Sequence, residues 1–177
     1  MKRRHVLGTL AGAAVAGAAD TKPFVLQWRD SFLRHWTVER GYTLAVVEAM
    51  PAEHYNSKPD PAQRTFGEQL AHLARANTAY FSAFGLLPIP EMPKETDKDT
   101  VRKYVAASFD YVTAVLEKLG EKDLLRNDMG APRFKPHTGS DLCLRAYVHT
   151  AHHRGQAIVY LRVKGITPPT WAFEPTA

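Results

Sequence analysis

The hydrophobic positions of this chain recur at helical spacing, and the clearest example lies near the C-terminus. Seven positions there are separated alternately by four and three residues: Leu142, Ala146, His149, His153, Gln156, Tyr160 and Val163. Residues with this spacing lie on one face of an α-helix, which in a bundle is the face turned towards the core. Two histidines and a glutamine therefore occupy positions where leucine or isoleucine is expected.

Three further stretches have helical periodicity and bring the number of predicted long helices to four. The predicted helices run from Phe24 to Met50, from Phe66 to about Phe84, from Thr100 to Leu119 and from Ser140 or Asp141 to Lys164. Thr65 and Glu68 have the spacing of a capping box at the start of the second helix. No segment has the two-residue alternation of a half-buried strand. The pattern predicts an all-α protein, an up-down four-helix bundle formed by residues 20–177.

The first 19 residues differ in character from the rest of the chain. A basic start, Lys2-Arg3-Arg4, precedes an Ala/Gly-rich apolar run that ends in Ala16-Gly17-Ala18-Ala19. These are the features of a secretory signal peptide, and paired arginines are typical of the twin-arginine class. We expect residues 1–19 to be an export signal, and the mature protein to be periplasmic or otherwise extracytoplasmic, without a membrane span. The alternative is an N-terminal tail that is retained.

The net charge of the chain does not point to a further class of function. The whole sequence has a net charge of +5, but three of its 23 basic residues lie in the leader, which leaves 20 basic against 18 acidic residues. No stripe of Lys and Arg is interleaved with aromatic residues, so we expect no nucleic-acid binding. The single cysteine, Cys143, excludes a disulfide within the chain.

Histidines on two of the predicted helices are the candidate functional residues. His149 and His153 stand four residues apart and lie one above the other on the fourth helix, and His72 lies on the second helix beside Leu73. Three neutral imidazoles on neighbouring helices can bind a divalent metal ion and leave a coordination position open. We expect zinc, with nickel or iron as alternatives. Spacing alone leaves a second interpretation open, in which these histidines are ordinary packing or surface residues.

Longer segments of the sequence resemble a known family. The segment 66–72 (Phe-Gly-Glu-Gln-Leu-Ala-His), the segment 149–156 (His-Thr-Ala-His-His-Arg-Gly-Gln) and the closing Gly-Ile-Thr-Pro-Pro at 165–169 are similar to those of the DinB/YfiT-like family of metal-dependent helical bundles. The resemblance extends from about Phe24 to Pro169. It implies a DinB-like domain over residues 20–177 and a metal triad formed by His72, His149 and His153.

The resemblance also implies a range of functions. Proteins similar to this family include thiol-dependent transferases and isomerases, so metal-dependent hydrolysis or thiol transfer on an unidentified small molecule is implied here. A non-catalytic bundle of the cell envelope that binds a metal or small ligand is the alternative, and a metal-free structural domain is a third. A homodimer is also implied, and the aromatic residues Trp28, Phe32 and Trp36 on the first helix are compatible with one. Burial in the core of a single chain explains these residues equally well.

The residues around the triad have expected roles of their own. His152 is rotated by about 100° from His153 around the helix, so we do not expect it to be a ligand. We expect Gln156 to bind either a metal-bound water or a buried polar neighbour, and Arg154 to pair with an acidic residue of another helix. Glu68 and Asp110 are candidates for the carboxylates that orient ligating imidazoles.

Overall fold

The fold was analysed in a computed structural model, which describes residues 22–130 and 136–170. The helices are α1 (Phe24–Ala49), α2 (Phe66–Ser82), α3 (Lys98–Lys118), α4 (Glu121–Leu125) and α5 (Gly139–Val163), with a single 3-10 turn at Ala52–His54. Within the described ranges no strand is present, and the only β-type pairing is an isolated bridge between Met129 and His137. The predicted all-α helical bundle is confirmed. The short α4 was missed because five residues are too few to establish a period.

Side-chain caps account for where the long helices begin. The predicted capping box is present, since the Glu68 N–H donates to the Thr65 hydroxyl (3.1 Å) and the Thr65 N–H donates to the Glu68 carboxylate (2.7 Å). Asp97 and Thr138 cap α3 and α5 with their side chains alone, which accept from the backbone N–H groups of Thr100 and Asp141. These two caps explain why both helices begin slightly before the first residue of their predicted ranges.

Helix α5 runs parallel to α1 and antiparallel to α2. The rings of Phe32 and Tyr147 are 5.8 Å apart, and Glu39 pairs with Arg154 seven residues further along both helices. Against α2, the order is reversed, because Phe66 near the start of α2 contacts Tyr160 near the end of α5. Helices α1 and α2 each pack against both α3 and α5, so they lie diagonally opposite in the bundle.

Helix α3 is antiparallel to α1. Arg29 near the start of α1 donates to the Leu119 carbonyl (2.7 Å), and Lys98 at the start of α3 donates to the Glu48 carbonyl (2.8 Å). Helices α2 and α3 therefore run in the same direction. The four long helices are ordered up, down, down, up, so the bundle has the predicted helices but not the alternating up-down order. The 15 residues 83–97 connect the end of α2 to the start of α3. A segment of this length reaches about 50 Å when extended, enough to return along a 17-residue helix of about 26 Å.

The core fills the space between the four long helices. Trp36 is fully buried (0% exposed) and contacts Phe32, Phe81 and Phe109. Phe32 and Trp36 of α1 therefore pack in the core of a single chain, whereas Trp28 is only partly buried against that core. The apolar repeat of α5 holds up to Tyr160, whereas Val163 in the last turn is 60% exposed.

The predicted export signal, residues 1–19, lies outside the described residues. In the part of the chain that the structure describes, every helix is too short or too polar to cross a membrane.

Candidate metal centre

Helices α2 and α5 bring His72, His149 and His153 together near the middle of their shared interface. The ring centroids are separated by 5.3 Å between His72 and His149, 4.6 Å between His72 and His153, and 4.2 Å between His149 and His153. One side-chain nitrogen from each residue lies within 4.8 Å of the other two. Among residues 22–130 and 136–170, this is the only group of three or more His, Cys, Asp or Glu side chains close enough to share a metal ion.

The electrostatic environment keeps the three imidazoles neutral. Burial lowers the pKa of His72 to about 4, and the nearby Arg64 cation contributes to the same shift. Burial also lowers the pKa of His149 to about 4, with a smaller effect of His153. The pKa of His153 is lowered as well, chiefly by burial. A neutral imidazole has the free lone pair that a metal ion requires, so the donor set is ready for a metal at neutral pH.

One nitrogen of the cluster is buried without a hydrogen-bond partner. Among the described residues, no donor or acceptor reaches the Nδ1 atom of His149. Leaving a buried polar atom unpaired costs about 1–3 kcal/mol, so such atoms usually have a specific explanation. An unpaired nitrogen in a cluster of three imidazoles fits a metal site, because imidazole nitrogens are common metal ligands.

Gln156 orients His153, and Gln69 holds Gln156 in place. The Nδ1 atom of His153 lies 2.9 Å from the side-chain oxygen of Gln156. The Gln69 amide donates to the same Gln156 oxygen. A hydrogen bond from Nδ1–H to Gln156 leaves Nε2 of His153 with its lone pair, which is how a ligating histidine is usually held. Gln156 therefore binds a buried polar neighbour, one of the two roles expected for it.

The role of Gln69 was missed by sequence reasoning, although a signal existed. Gln69 stands four residues before Leu73, which places it on the apolar face of α2, and it is almost completely buried. A glutamine at a core position needs a polar partner. Its partners lie on α5, more than 80 positions away in the sequence, so no local pattern identifies them.

The two carboxylates suggested as orienting groups do not reach the triad, and that prediction is wrong. Glu68 is exposed because its carboxylate turns back to cap α2 at Thr65. Asp110 lies on the outer face of α3, where it pairs with Arg40. His152 is exposed on the outside of α5, as its position around the helix indicated.

Buried polar contacts between helices set the relative position of α2 and α5. The Thr150 hydroxyl donates to the Asn77 side-chain oxygen (2.8 Å), one residue after His149 in the chain. The Tyr160 hydroxyl donates to the carbonyl of Arg64 (2.7 Å) just before α2. On a neighbouring face of α5, about 100° around the helix from His153, Arg154 forms the expected ion pair, with Glu39 of α1. Together these contacts fix the rotation of α5 so that the histidine face turns towards α2.

A cavity of about 470 Å³ adjoins the triad and is called here the side cavity. It is lined by His72, Arg75, Ala76, Ala79, Tyr80, Ser82, Ala83, Gly130, His137, Leu142, Arg145 and His149. Its volume is within the range of sites that bind small molecules. Since two of the three histidines form part of its wall, a ligand in the side cavity lies next to the triad.

Comparisons with known proteins agree with this architecture. The model of the DinB family matches residues 22–175. The uncharacterized protein YjoA of Bacillus subtilis (strain 168) is 26% identical over 143 residues, which cover 78% of this chain and 92% of that protein. A solved DinB-like protein from Bacillus cereus ATCC 10987 has a TM-score of 0.72 at 24% identity, covering 81% of this chain and 97% of that one. The solved structure of YjoA, described as DinB-like, has a TM-score of 0.63 at 25% identity, with coverages of 80% and 96%. Because the family match spans most of the sequence, this chain belongs to the DinB family.

Proposed function

We propose that this protein binds one divalent metal ion through His72, His149 and His153 and acts on a small molecule held in the side cavity. The observation that supports the proposal is the convergence of three neutral imidazoles, with nitrogens within 4.8 Å of one another, two of which line that cavity. Zinc is the expected metal because three-histidine sites are characteristic of it, and nickel and iron also accept imidazole ligands.

The reaction class follows from the donor set. A divalent metal with three protein ligands keeps a position for water or a thiol, lowers the pKa of that group and polarises a carbonyl. The protein contributes neutral ligands, fixes the His153 tautomer through Gln156 and shields the site between α2 and α5. Metal-dependent hydrolysis and thiol transfer both fit. Export to an oxidising compartment favours hydrolysis, because small thiols are kept reduced mainly in the cytosol.

The test is to determine the metal content and then the turnover of the purified protein. Elemental analysis is expected to find one divalent metal per chain. The loaded protein is then assayed with ester and amide substrates, and with a small thiol together with an electrophile. Turnover in one of these assays, lost when the metal is removed by a chelator, supports the enzyme. A stoichiometric metal without turnover would favour the non-catalytic binding bundle, and a metal-free protein would exclude the proposal.

Replacing Gln156 with alanine is expected to weaken metal binding by about 10–100-fold while the bundle stays folded. The variant removes the acceptor that holds the His153 ring. Affinity is measured by competition with a chromophoric chelator, and folding by circular dichroism. Gln63→Ala, an exposed glutamine in the connection before α2, is the matched control. Equal affinities of the two variants would show that Gln156 does not orient a ligand.

Export is a separate proposal, and it rests on residues 1–19. The full-length protein is expected in the periplasmic fraction in a shortened form. Replacing both Arg3 and Arg4 with lysine keeps the basic charge and removes the paired arginines, so the protein is expected to stay in the cytoplasm if the twin-arginine route is used. Unprocessed wild-type protein in the cytoplasm would contradict export.

A further inference from the structure

The charged groups that line the side cavity are all basic. Arg75 of α2 and Arg145 of α5 stand on its wall together with His137, and no aspartate or glutamate is among its described lining residues. The remaining wall includes Ala76, Leu142 and other apolar groups. A cavity with this composition offers cationic hydrogen-bond donors on a surface that also accommodates a carbon skeleton.

Arg145 is held in the cavity wall by its neighbours. Its guanidinium donates to the Nε2 atom of His137 (3.0 Å), and the Nδ1 atom of His137 lies 3.3 Å from the carboxylate of Asp141. The guanidinium carbon also lies 6.0 Å from the centroid of the Tyr80 ring. A guanidinium presents five N–H donors in a planar fork that matches a carboxylate or phosphate. Arg145 is therefore positioned before a ligand arrives.

A cationic side chain also lies beside the triad. Arg75 lines the side cavity together with His72 and His149, so its positive charge stands next to two of the proposed metal ligands. Three neutral imidazoles do not neutralise the two positive charges of a divalent ion. A negatively charged ligand is the one that this combination of metal and arginines attracts.

We propose that the side cavity binds a small organic anion, whose carboxylate or phosphate group pairs with Arg145 and Arg75 and whose reacting part faces the three-histidine site. This inference rests on the proposed function, because it places the reacting part beside the metal ion. Carboxylates and phosphates share the chemistry that counts here, which is a pair of charged oxygens that accept bidentate hydrogen bonds.

The experiment compares ligands of the same shape and different charge. Zinc-loaded protein is titrated with 2-naphthoate, 2-naphthyl phosphate and the neutral naphthalene-2-carboxamide, and the dissociation constants are measured by calorimetry. At least one anion is expected to bind about tenfold or more tightly than the amide, since hydrogen bonds to charged groups contribute about 1.5–3 kcal/mol. The stronger of the two anions identifies the preferred oxyanion.

Matched variants assign the preference to the cavity. Arg145→Gln and Arg75→Gln are each expected to lose most of the preference for the anion. Arg162→Gln, an exposed arginine of α5 away from the cavity, is expected to keep it. Arg75 is exposed on α2, so Arg75→Gln is expected to fold. If Arg145→Gln fails to fold, Arg75→Gln alone tests whether the cavity arginines cause the preference for the anion.

The outcomes separate this inference from the proposed function, because zinc content is measured on the same samples. If the protein holds one zinc per chain and binds the anions no better than the amide, the inference is overturned and the metal site stands. The same holds if both arginine variants keep the full preference, which would place the anion on the zinc alone. An arginine-dependent preference in a protein that binds no zinc would instead support the anion site and overturn the metal site.

Discussion

Replacing His149 with alanine is expected to remove the bound metal ion and to leave the helical bundle folded. The variant deletes one of three ligands, and the loss of affinity is expected to exceed the roughly 10–100-fold effect of losing an orienting partner. Folding is expected to survive because His149 is only partly buried and its Nδ1 atom makes no hydrogen bond among the described residues. Its position on the wall of the side cavity means that truncation enlarges an existing space.

His54 provides the matched control for this experiment. It is the same residue type and is partly buried, but it lies in the 3-10 turn at Ala52–His54, outside the triad. Both variants are dialysed against limiting zinc, analysed for metal content and examined by circular dichroism. His54→Ala is expected to retain one zinc per chain. Full zinc occupancy in folded His149→Ala would show that the three histidines do not form the metal site.

The largest effect on stability is expected at the buried ion pair between Glu39 and Arg154. Both side chains are nearly inaccessible, with 4% and 5% of their surface exposed, and the Arg154 guanidinium lies 4.6 Å from the ring centroid of Tyr42. Burial lowers the pKa of Arg154 to about 10, so Arg154 remains charged at neutral pH. Glu39→Ala leaves that charge buried without its partner. The free energy of unfolding is expected to fall by about 3–5 kcal/mol, as measured by urea denaturation.

Two further variants show whether the loss comes from the unpaired charge. The double variant Glu39→Leu with Arg154→Met replaces the pair with apolar side chains, and it is expected to regain most of the stability lost in Glu39→Ala. The adjacent surface pair of Arg40 and Asp110 is the control, and Asp110→Ala is expected to cost less than about 1 kcal/mol. Similar losses at the two pairs would mean that burial does not determine the effect.

The ion pair also matters for the metal site, because Arg154 directly follows His153 in the chain. Its contact with α1 lies about 100° around α5 from His153, so it fixes the rotation that points His153 towards His72. Glu39→Ala is therefore expected to weaken zinc binding even in the fraction of protein that remains folded. The double variant is informative here too, because it restores stability without restoring the pairing geometry.

The sequence by itself determined the features that depend on neighbours along the chain. Helical periodicity located the four long helices to within two residues, and the Thr65–Glu68 box was recognised because all its atoms belong to one turn. The shared face of His149 and His153 follows from a spacing of four residues alone.

The tertiary structure decided the features that depend on contacts between distant segments. Periodicity indicates which face of a helix is buried but not which helix that face contacts. It therefore could not predict that α2 and α3 run in parallel or that Glu39 pairs with Arg154. The glutamine pair around His153 and the basic wall of the side cavity arise in the same way. The meeting of His72 with the pair on α5 was anticipated through family resemblance, whereas its physical cause is the packing of α2 against α5. Spacing along one helix is a local property, and a binding site assembled between helices exists only once the bundle has packed.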